Sequence, residues 1–326
     1  MNKFTKQLLP FCSLIFIISL WTFLEPDTFL TTKNFMNVFS RSSINGIMAA
    51  AMTFVIITAG IDLSVGSMMA MCGMIGSVVM LGISGASWTD ISGGSYVELG
   101  LGAMVIGSLA SMLIGAICGF ANGMLITQLK LAPFIVTLGA MSIFRGVAYL
   151  MNAGKPFSVS DYSWLDNGTF AGIPSTIVIM VIVFAIMGFI LKYTRFGRYT
   201  YAIGSNPETA FHTGVNVKAV LITIYTIVGA LVGLASMIAT SRASTAQPTA
   251  GIALELDIIA AVIIGGCSPS GGRGTMIGTV IGTLLIQFLR NGLTLLGIST
   301  NVQLVAVGAI IILAVTADQI ATRRQA

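Results

Sequence analysis

The residues able to do chemistry are few in this chain, and their spacing matches no enzyme active site. The one histidine, His212, lies in a polar stretch. No HExxH motif, serine–histidine–aspartate set or pair of catalytic carboxylates can be assembled around it. The four cysteines lie in apolar runs without CxxC or metal-ligand spacing, which is typical of small buried side chains. They are Cys12, Cys72, Cys118 and Cys267. The sequence predicts neither an enzyme nor a metal site.

Several polar residues interrupt apolar runs, where they can contact a hydroxylated solute, hold an ion or only stabilise helices. In GIDLSVGS at 60–67, Gly60 can end one helix and Asp62 or Ser64 can cap the next. Arg145 and Arg290 can reach the membrane interface or face a polar cavity. Glu255 and Asp257 can stabilise a helix N-terminus. The candidate pathway or gate residues are Asn45, Asp62, Ser64, Asn122, Arg145, Glu255, Asp257 and Asn291.

A glycine-rich stretch at 266–274 has the GxxxxG spacing of a phosphate-binding loop. Gly272 and Arg273 follow it, where such a loop has lysine and then serine or threonine, and no strand precedes it. The groups that would meet phosphate and magnesium are therefore missing. We predict a tight turn and no nucleotide site.

The polar stretch at 192–218 carries four basic residues, one acid and the histidine. Its SNPE sequence at 205–208 offers a helix cap at Ser205 or Asn206, followed by proline and an acid in the first turn. Gly214 can end the helix. The pattern predicts about two turns of helix, projecting from a basic loop, that either lie on the surface alone or seat in a partner.

Composition places the remainder of the chain in lipid. Hydrophobic residues make up 56% of the 326 residues and charged residues only 8%, against about 25% charged in a soluble domain. The apolar runs are continuous, which favours helices over the alternating strands of a membrane barrel. We predict an all-α integral membrane protein. The net charge of +5 lies in short loops and does not indicate a nucleic-acid partner.

Ten apolar segments predict about ten transmembrane helices. They are 8–24, 43–60, 64–82, 99–127, 133–150, 173–191, 219–240, 254–267, 275–290 and 301–317. The eighth is short for a span. With ten alternating spans, cytoplasmic N- and C-termini place more of the lysines and arginines on the inside. The same count makes the loop at 192–218 cytoplasmic.

An internal repeat is visible in outline. AGIDL at 59–63 recurs as AGIAL at 250–254, and two spans carry glycines at every fourth position. These helix-packing glycines are Gly115, Gly119, Gly123, Gly274, Gly278 and Gly282. Because five spans separate the paired features, they predict an inverted five-helix repeat. The alternative to a repeat is that these short matches arise by chance in so apolar a chain. The glycine faces can be static packing contacts or contacts that slide when the pathway opens.

Four stretches together carry a family resemblance. They are GIDLSVGS at 60–67, APFIVTLGAMSIFRG at 132–146, RFGRYTYAIGSNPETAFHTGVNV at 195–217 and STAQPTAGIALELDIIAAVIIGG at 244–266. With GGRGTMIGTVIGTLLIQFLRNGLTLLG at 271–297, they resemble the permease subunit of ribose-type monosaccharide importers of the ATP-binding-cassette (ABC) class. The resemblance covers nearly the whole chain.

This resemblance implies one transmembrane permease domain over residues 1–326, in the bacterial inner membrane. A second permease subunit, identical or different, completes the pathway, and a periplasmic binding protein delivers the sugar. Ribose is the first candidate, followed by allose or another monosaccharide. ATP and magnesium would bind a separate cytoplasmic ATPase, so this chain holds no cofactor and is no enzyme itself.

The resemblance also gives the polar loop a role, as a coupling helix that meets the ATPase. Many ABC permeases carry an E-A-A-x-x-x-G pattern there, and this chain departs from it at Thr209. The implied ATPase-coupling residues are Asn206, Pro207, Glu208, Thr209, Ala210 and Gly214.

Two other classes of function stay open. An ion-coupled secondary transporter or facilitator would need an acidic ion site, for which the chain offers Asp62, Glu255 and Asp257. A membrane assembly subunit without transport would have no polar residues facing a cavity.

Overall fold

The computed structural model describes residues 3–323 as helices joined by short loops. The helices are α1 (Lys3–Leu24), α2 (Pro26–Phe29), α3 (Thr32–Ile57), α4 (Val65–Ile83), α5 (Trp88–Gly93), α6 (Leu101–Gln128), α7 (Pro133–Leu150), α8 (Trp164–Asn167), α9 (Ser175–Tyr193), α10 (Arg195–Ser205), α11 (Pro207–His212), α12 (Val217–Ala243), α13 (Leu254–Ile264), α14 (Met276–Leu295) and α15 (Thr300–Arg323). Four two-residue strands complete the described part: β1 (Phe157–Ser158), β2 (Thr169–Phe170), β3 (Ile173–Pro174) and β4 (Thr245–Ala246).

Seven helices are long and apolar enough to cross a membrane: α3, α4, α6, α7, α9, α12 and α14. Shorter apolar stretches lie in the terminal helices, at Phe11–Leu24 in α1 and Thr300–Ile310 in α15. The prediction of an all-α membrane protein is confirmed. The number of ten spans stays a prediction.

Two elements differ from their predicted bounds for local reasons. Helix α3 begins at Thr32, well before the predicted 43, because Thr31 caps it by accepting a hydrogen bond from the Asn34 amide at 3.2 Å. The predicted eighth span, 254–267, is shortened to α13, which begins at Leu254 as predicted but ends at Ile264, before Gly266 with a φ of +93°. Residues 244–253, which no predicted span includes, are non-helical, with positive φ angles at Ser244, Gly251 and Ala253 and the short strand β4.

The chain divides into two compact units. Unit 1 comprises residues 1–60, 181–215 and 256–326. An aromatic cluster joins α1, α2 and α14 in it, where the buried side chains of Trp21, Phe29 and Phe288 pack together. The Phe29 and Phe288 ring centroids lie 6.0 Å apart. This contact fixes the position of the N-terminal helices against α14.

Unit 2 comprises residues 61–180 and 216–255. Its helices α6 and α12 approach closely along the glycines of α6. A β-carbon at Gly123 would lie 2.8 Å from the Ile222 α-carbon, and Gly115 and Gly119 face backbone carbonyls of α12. Small residues permit this close approach of two helix backbones. In the same unit, β1 pairs antiparallel with β4, and β2 with β3.

The cysteines follow the predicted burial only in part. Cys72 and Cys267 are buried, as expected for small apolar side chains, whereas Cys118 is half-buried and Cys12 is exposed. Cys12 lies on the apolar helix α1, where an exposed position faces lipid rather than water if the helix spans the membrane.

Candidate coupling surface and polar sites

The polar stretch at 192–218 folds into two short helices rather than one. Asn206 ends α10 and caps α11, because its side chain accepts a hydrogen bond from the Thr209 amide at 2.9 Å. Pro207 occupies the first turn of α11, and Gly214 follows it with a φ of +88°. A positive φ favours glycine, so Gly214 is suited to end this helix. Ser205, the alternative cap, is the last residue of α10.

Helix α11 presents part of its surface to the exterior of the unit. Glu208, Thr209 and Phe211 are exposed, and Phe211 has 66% of its surface accessible. Ala210 instead is 3% exposed, and its carbonyl accepts a hydrogen bond from the Val215 amide at 3.1 Å. The exposed face of α11 can therefore contact a partner, while Ala210 stabilises the turn beneath it.

Helix α10 was not predicted from the sequence. Thr194 caps it by accepting a hydrogen bond from the Gly197 amide. Its buried residues, Gly197, Thr200 and Ile203, recur at a helical spacing. That cap and spacing were the signals available for finding it.

Helix α10 is fixed to α3 and to the glycine-rich turn before α14. The Tyr201 hydroxyl donates to the Gly274 carbonyl at 2.7 Å, and burial raises the pKa of Tyr201 to about 12, so the donor keeps its proton. Gly204 packs against the Ile57 carbonyl. The Gly272 amide donates to that same carbonyl at 2.8 Å. One end of α3 is thereby joined to the turn and to α10.

The glycine-rich stretch forms the tight turn that the sequence predicts. The Ser268 amide donates to the Arg273 carbonyl at 3.0 Å, and the Gly271 amide donates to the Ser268 carbonyl at 2.9 Å. Gly271 and Gly272 both have positive φ angles. In place of a phosphate cradle, the turn is closed by its own backbone bonds.

In unit 2, Asp62, Ser64 and Asn122 form one buried polar network. The Asp62 Oδ1 atom accepts from the Ser64 amide at 2.9 Å and from its hydroxyl at 2.6 Å. Asn122 Nδ2 donates to Ser64 Oγ at 3.1 Å. Asp62 Oδ2 has no partner among the described residues. Burial is the largest cause that raises the pKa of Asp62.

The predicted caps around Asp62 take another form. Ser64 precedes α4, but its side chain makes no capping bond. Ala59, rather than Gly60, adopts the left-handed conformation after α3, with a φ of +60°. The Gly60 amide donates to the Val55 carbonyl at 2.9 Å. The Asp62 side chain thus holds the turn itself and does not cap the first turn of α4.

Arg145 binds the backbone of the stretch between α12 and α13. Its Nη1 atom donates to the Pro248 carbonyl at 2.6 Å and to the Ala250 carbonyl at 2.8 Å. Both acceptors belong to the non-helical stretch before α13, where carbonyls lack helical partners. Glu255 lies in the same unit against Gly66. Arg145 therefore supplies hydrogen bonds to an interrupted span.

A small cavity of about 200 Å³ lies beside that non-helical stretch, and Ala250 lines it. Ser236 and Thr240 of α12 contribute hydroxyls to its wall, and Gln247 lines its other side. Ser236 also donates to the Met69 carbonyl at 2.6 Å. Hydroxyl-bearing residues of α12 therefore line this cavity.

In unit 1, the remaining candidates lie in separate contacts. Arg290 Nη2 donates to Asp257 Oδ1 at 2.7 Å. Asn291 and Asn34 exchange two hydrogen bonds, at 2.8 and 3.0 Å. Asn45 is buried with 8% exposure. The Arg290–Asp257 and Asn291–Asn34 pairs are separate contacts and do not form one cluster.

A buried hydroxyl pair was missed by sequence reasoning. Thr53 and Thr279 lie 2.7 Å apart through their Oγ1 atoms and join α3 to α14. Neither residue lies in a recognisable motif, so no signal in one sequence indicates the pair.

Comparison with known proteins places this geometry in a family. Residues 34–315 match the family model described as the permease component of branched-chain amino acid transport systems. That match covers more than half of the chain. The chain belongs to this permease family. A ribose import permease of Bacillus subtilis is 41% identical to it over 319 residues, which are 96% of this chain and 93% of the relative.

Other relatives of the permease are named for different sugars. The D-allose transport system permease of Escherichia coli is 35% identical over 96% of this chain and 91% of its own length. The fructose import permease of Rhizobium meliloti is 33% identical over 86% of this chain and 76% of its own length. No solved structure is significantly similar to the permease. The predicted ribose-type ABC permease is confirmed by this family and by these full-length matches.

Proposed function

We propose that this permease forms the membrane pathway of an ATP-driven importer of a monosaccharide, with ribose as the first candidate. It is a multi-pass protein of the bacterial inner membrane. The single observation that carries the substrate class is the full-length similarity to relatives named for ribose, allose and fructose. Ribose stands first because the ribose import permease of Bacillus subtilis is more similar than the allose and fructose permeases.

The partners we propose are an ABC ATPase, which carries ATP and magnesium, a periplasmic sugar-binding protein and a second permease subunit. The exposed surface of α11 supports the ATPase contact, because Glu208, Thr209 and Phe211 are free to seat in a groove. ATP hydrolysis is part of the proposed role of that ATPase.

The coupling path begins at α11 and passes through α10. The resemblance and the position of the loop suggest that displacement of the coupling helix tilts the sixth and seventh spans, α9 and α12. The contacts of unit 1 support a further route. Tyr201 binds the Gly274 carbonyl before α14, and Gly204 packs on Ile57 at the end of α3. A push on α11 would thus reach α3 and α14 through α10.

The proposed topology has ten spans with cytoplasmic termini. Ten helices match the ten predicted segments: α1, α3, α4, α6, α7, α9, α12, α13, α14 and α15. The excess of lysine and arginine on one side supports a cytoplasmic α10 and α11. The inverted five-helix repeat is supported by the glycine faces of α6 and α14, which both meet backbone of a neighbouring helix in their own unit.

Substitution of the exposed α11 face tests the coupling role. Glu208→Arg combined with Phe211→Ala should abolish co-purification of the ATPase with the permease and abolish ATP-dependent sugar uptake. Trp88→Ala removes an equally exposed aromatic side chain, with 56% exposure, on a helix far along the chain and should leave both measurements unchanged. Unaltered ATPase assembly in the α11 variant would overturn the proposed contact.

A further inference from the structure

A large cavity in unit 1 lies among the last turn of α9, α10 and the first turns of α14. Its volume is about 870 Å³. One wall is apolar and includes Leu191, Ile277 and Ile281. Lys192, Arg198 and Tyr201 also line it. The cavity is therefore amphipathic, with its basic groups at the end of the apolar helix α9.

The two cations of the cavity have no acidic partner within the described residues. The ion pairs of the described residues lie elsewhere and join Arg242 to Asp166 and Arg290 to Asp257. Lys192 and Arg198 are both exposed. The Lys192 ammonium lies 5.0 Å from the ring centroid of Tyr193, which also lines the cavity. Among the described residues, these two positive charges line the cavity without an ion-pair partner.

The apolar wall continues along helices that cross the membrane. Ile277 of α14 has 69% of its surface exposed, and Tyr193 of α9 has 61%. Tyr201 does not offer its proton to the cavity, because its hydroxyl donates to the Gly274 carbonyl. It instead holds α10 against the turn before α14 and so maintains the shape of the basic wall.

We propose that this cavity binds an anionic phospholipid of the cytoplasmic leaflet. The phosphate lies beside Lys192 and Arg198. The part of the acyl chains nearest the headgroup packs along Leu191, Ile277 and Ile281. Basic pockets at the cytoplasmic ends of membrane helices bind anionic headgroups, and each cation near the surface is worth about a fivefold gain in affinity. Charge complementarity and the apolar wall together favour a lipid over a soluble anion. The assignment to the cytoplasmic leaflet rests on the proposed topology, which places α10 in the cytoplasm.

The site adjoins the coupling surface, since Arg198 lies on α10, which connects α9 to α11. Lipid binding would hold α10 through its basic residues. Lys192 and Arg198, which the coupling role does not use, would then contact the lipid phosphate.

Native mass spectrometry of the purified, delipidated permease tests the proposal without the ATPase or the sugar. Phosphatidylglycerol should bind at least tenfold more tightly than phosphatidylethanolamine with the same acyl chains. Lys192→Gln combined with Arg198→Gln should remove that preference. Arg195→Gln combined with Arg273→Gln removes as many exposed charges outside the cavity and should retain it.

A second variant fills the cavity and leaves both cations in place. A β-carbon on Gly188 would lie 3.5 Å from the Met276 side chain, an ordinary contact, so Gly188→Leu can extend into the cavity. It should lower phosphatidylglycerol binding at least tenfold while the thermal unfolding temperature stays near that of the wild type. Millimolar inorganic phosphate should not displace the lipid.

Three results would overturn the lipid site. They are equal binding of both phospholipids by the wild type, equal loss of preference in the two charge variants, and full competition by inorganic phosphate. Occupation of the cavity by the ATPase or by a second permease copy would appear as lipid release when either one is added, and it would also count against the proposal. Sugar uptake by the complete importer is measured separately, so failure of the lipid site leaves the proposed transport function standing.

Discussion

Arg290 of α14 and Asp257 of α13 form an ion pair at 2.7 Å, with side-chain exposures of 19% and 6%. Arg290 Nε, on the same guanidinium, is buried without a partner among the described residues. The pair joins the shortest of the predicted spans to its neighbour in the same unit. Because each charge neutralises the other in apolar surroundings, removal of one leaves the second uncompensated.

Asp257→Ala should destabilise the permease by up to about 3–5 kcal/mol, because Arg290, which is only 19% exposed, would be left without its ion-pair partner. Thermal unfolding in detergent measures the effect. Asp166→Ala breaks the more exposed pair with Arg242 and should cost about 1 kcal/mol or less. Replacement of both Asp257 and Arg290 by leucine should restore much of the loss. Equal effects of Asp257→Ala and Asp166→Ala would contradict this account of the pair.

Arg145→Lys should loosen the non-helical stretch before α13. Both the Pro248 and the Ala250 carbonyl accept from the single Nη1 atom of Arg145, and a lysine side chain is shorter than an arginine side chain, so its ammonium would stop short of that position. In a variant with Ala246→Cys, at a buried position of the same stretch, the rate of thiol labelling should rise severalfold when Arg145 is changed. Ser142→Ala on the same helix loses only an exposed bond to its own helix and should leave the rate unchanged. An unaltered rate in Arg145→Lys would show that the clamp does not restrain the stretch.

Gly119→Ala should separate α6 from α12. A β-carbon at this position would collide with the Tyr225 carbonyl, and backbone cannot move aside as a flexible side chain can. Overpacking of this kind costs about 1–3 kcal/mol, measurable as a fall in the unfolding temperature. Gly139→Ala in α7, where nothing lies within 4 Å, should be neutral or stabilising. A neutral Gly119→Ala would refute the close helix contact.

Asp62 should make the stability of the permease depend on pH in the direction opposite to that of most carboxylates. Burial raises its pKa in the folded state, so the folded protein binds this proton more tightly than the unfolded chain. The resulting stability is complete below the ordinary aspartate pKa of about 3.9 and is lost as pH rises through the folded pKa. The stability advantage of Asp62→Asn over the wild type should therefore grow with pH.

Asp90 provides the matched control of opposite sign. Hydrogen bonds from Ser87 lower the pKa of this exposed carboxyl, so its stabilisation is present above the ordinary aspartate pKa and is lost as pH falls through the folded value. Asp90→Asn should lower the unfolding temperature slightly at neutral pH and have no effect in acid. Parallel pH profiles for the Asp62 and Asp90 variants would contradict the assignment of opposite shifts.

The sequence predicted those features whose causes lie close together along the chain. The start of α11 follows from Asn206 and Pro207, which are neighbours, and the turn at 268–274 follows from its own glycines. Composition alone was sufficient to predict a helical membrane protein, because in lipid the backbone N–H and C=O groups must form hydrogen bonds within the protein. Local sequence was therefore sufficient to predict where helices and turns occur, but not which residues they contact.

The contacts of the polar residues could not be predicted in the same way. Asp257 and Arg290 are 33 residues apart, and Arg145 is 103 residues from Pro248, so their pairing depends on how helices pack. The sequence indicated that burial of each charged side chain in lipid is unfavourable, but not which group would pair with it. The sequence leaves 244–253 outside every predicted span, as the structure does, but it did not indicate that Arg145 would supply hydrogen bonds to the Pro248 and Ala250 carbonyls.

Sugar uptake in proteoliposomes tests the central claim most directly. The permease is reconstituted alone, with its ATPase, or with the ATPase and the sugar-binding protein, and entry of radiolabelled ribose is followed with and without ATP. We predict uptake only with ATP and all the subunits, competed by unlabelled monosaccharide. Concentrative or facilitated uptake by the permease alone, without ATP, would contradict the account and favour an ion-coupled transporter or facilitator.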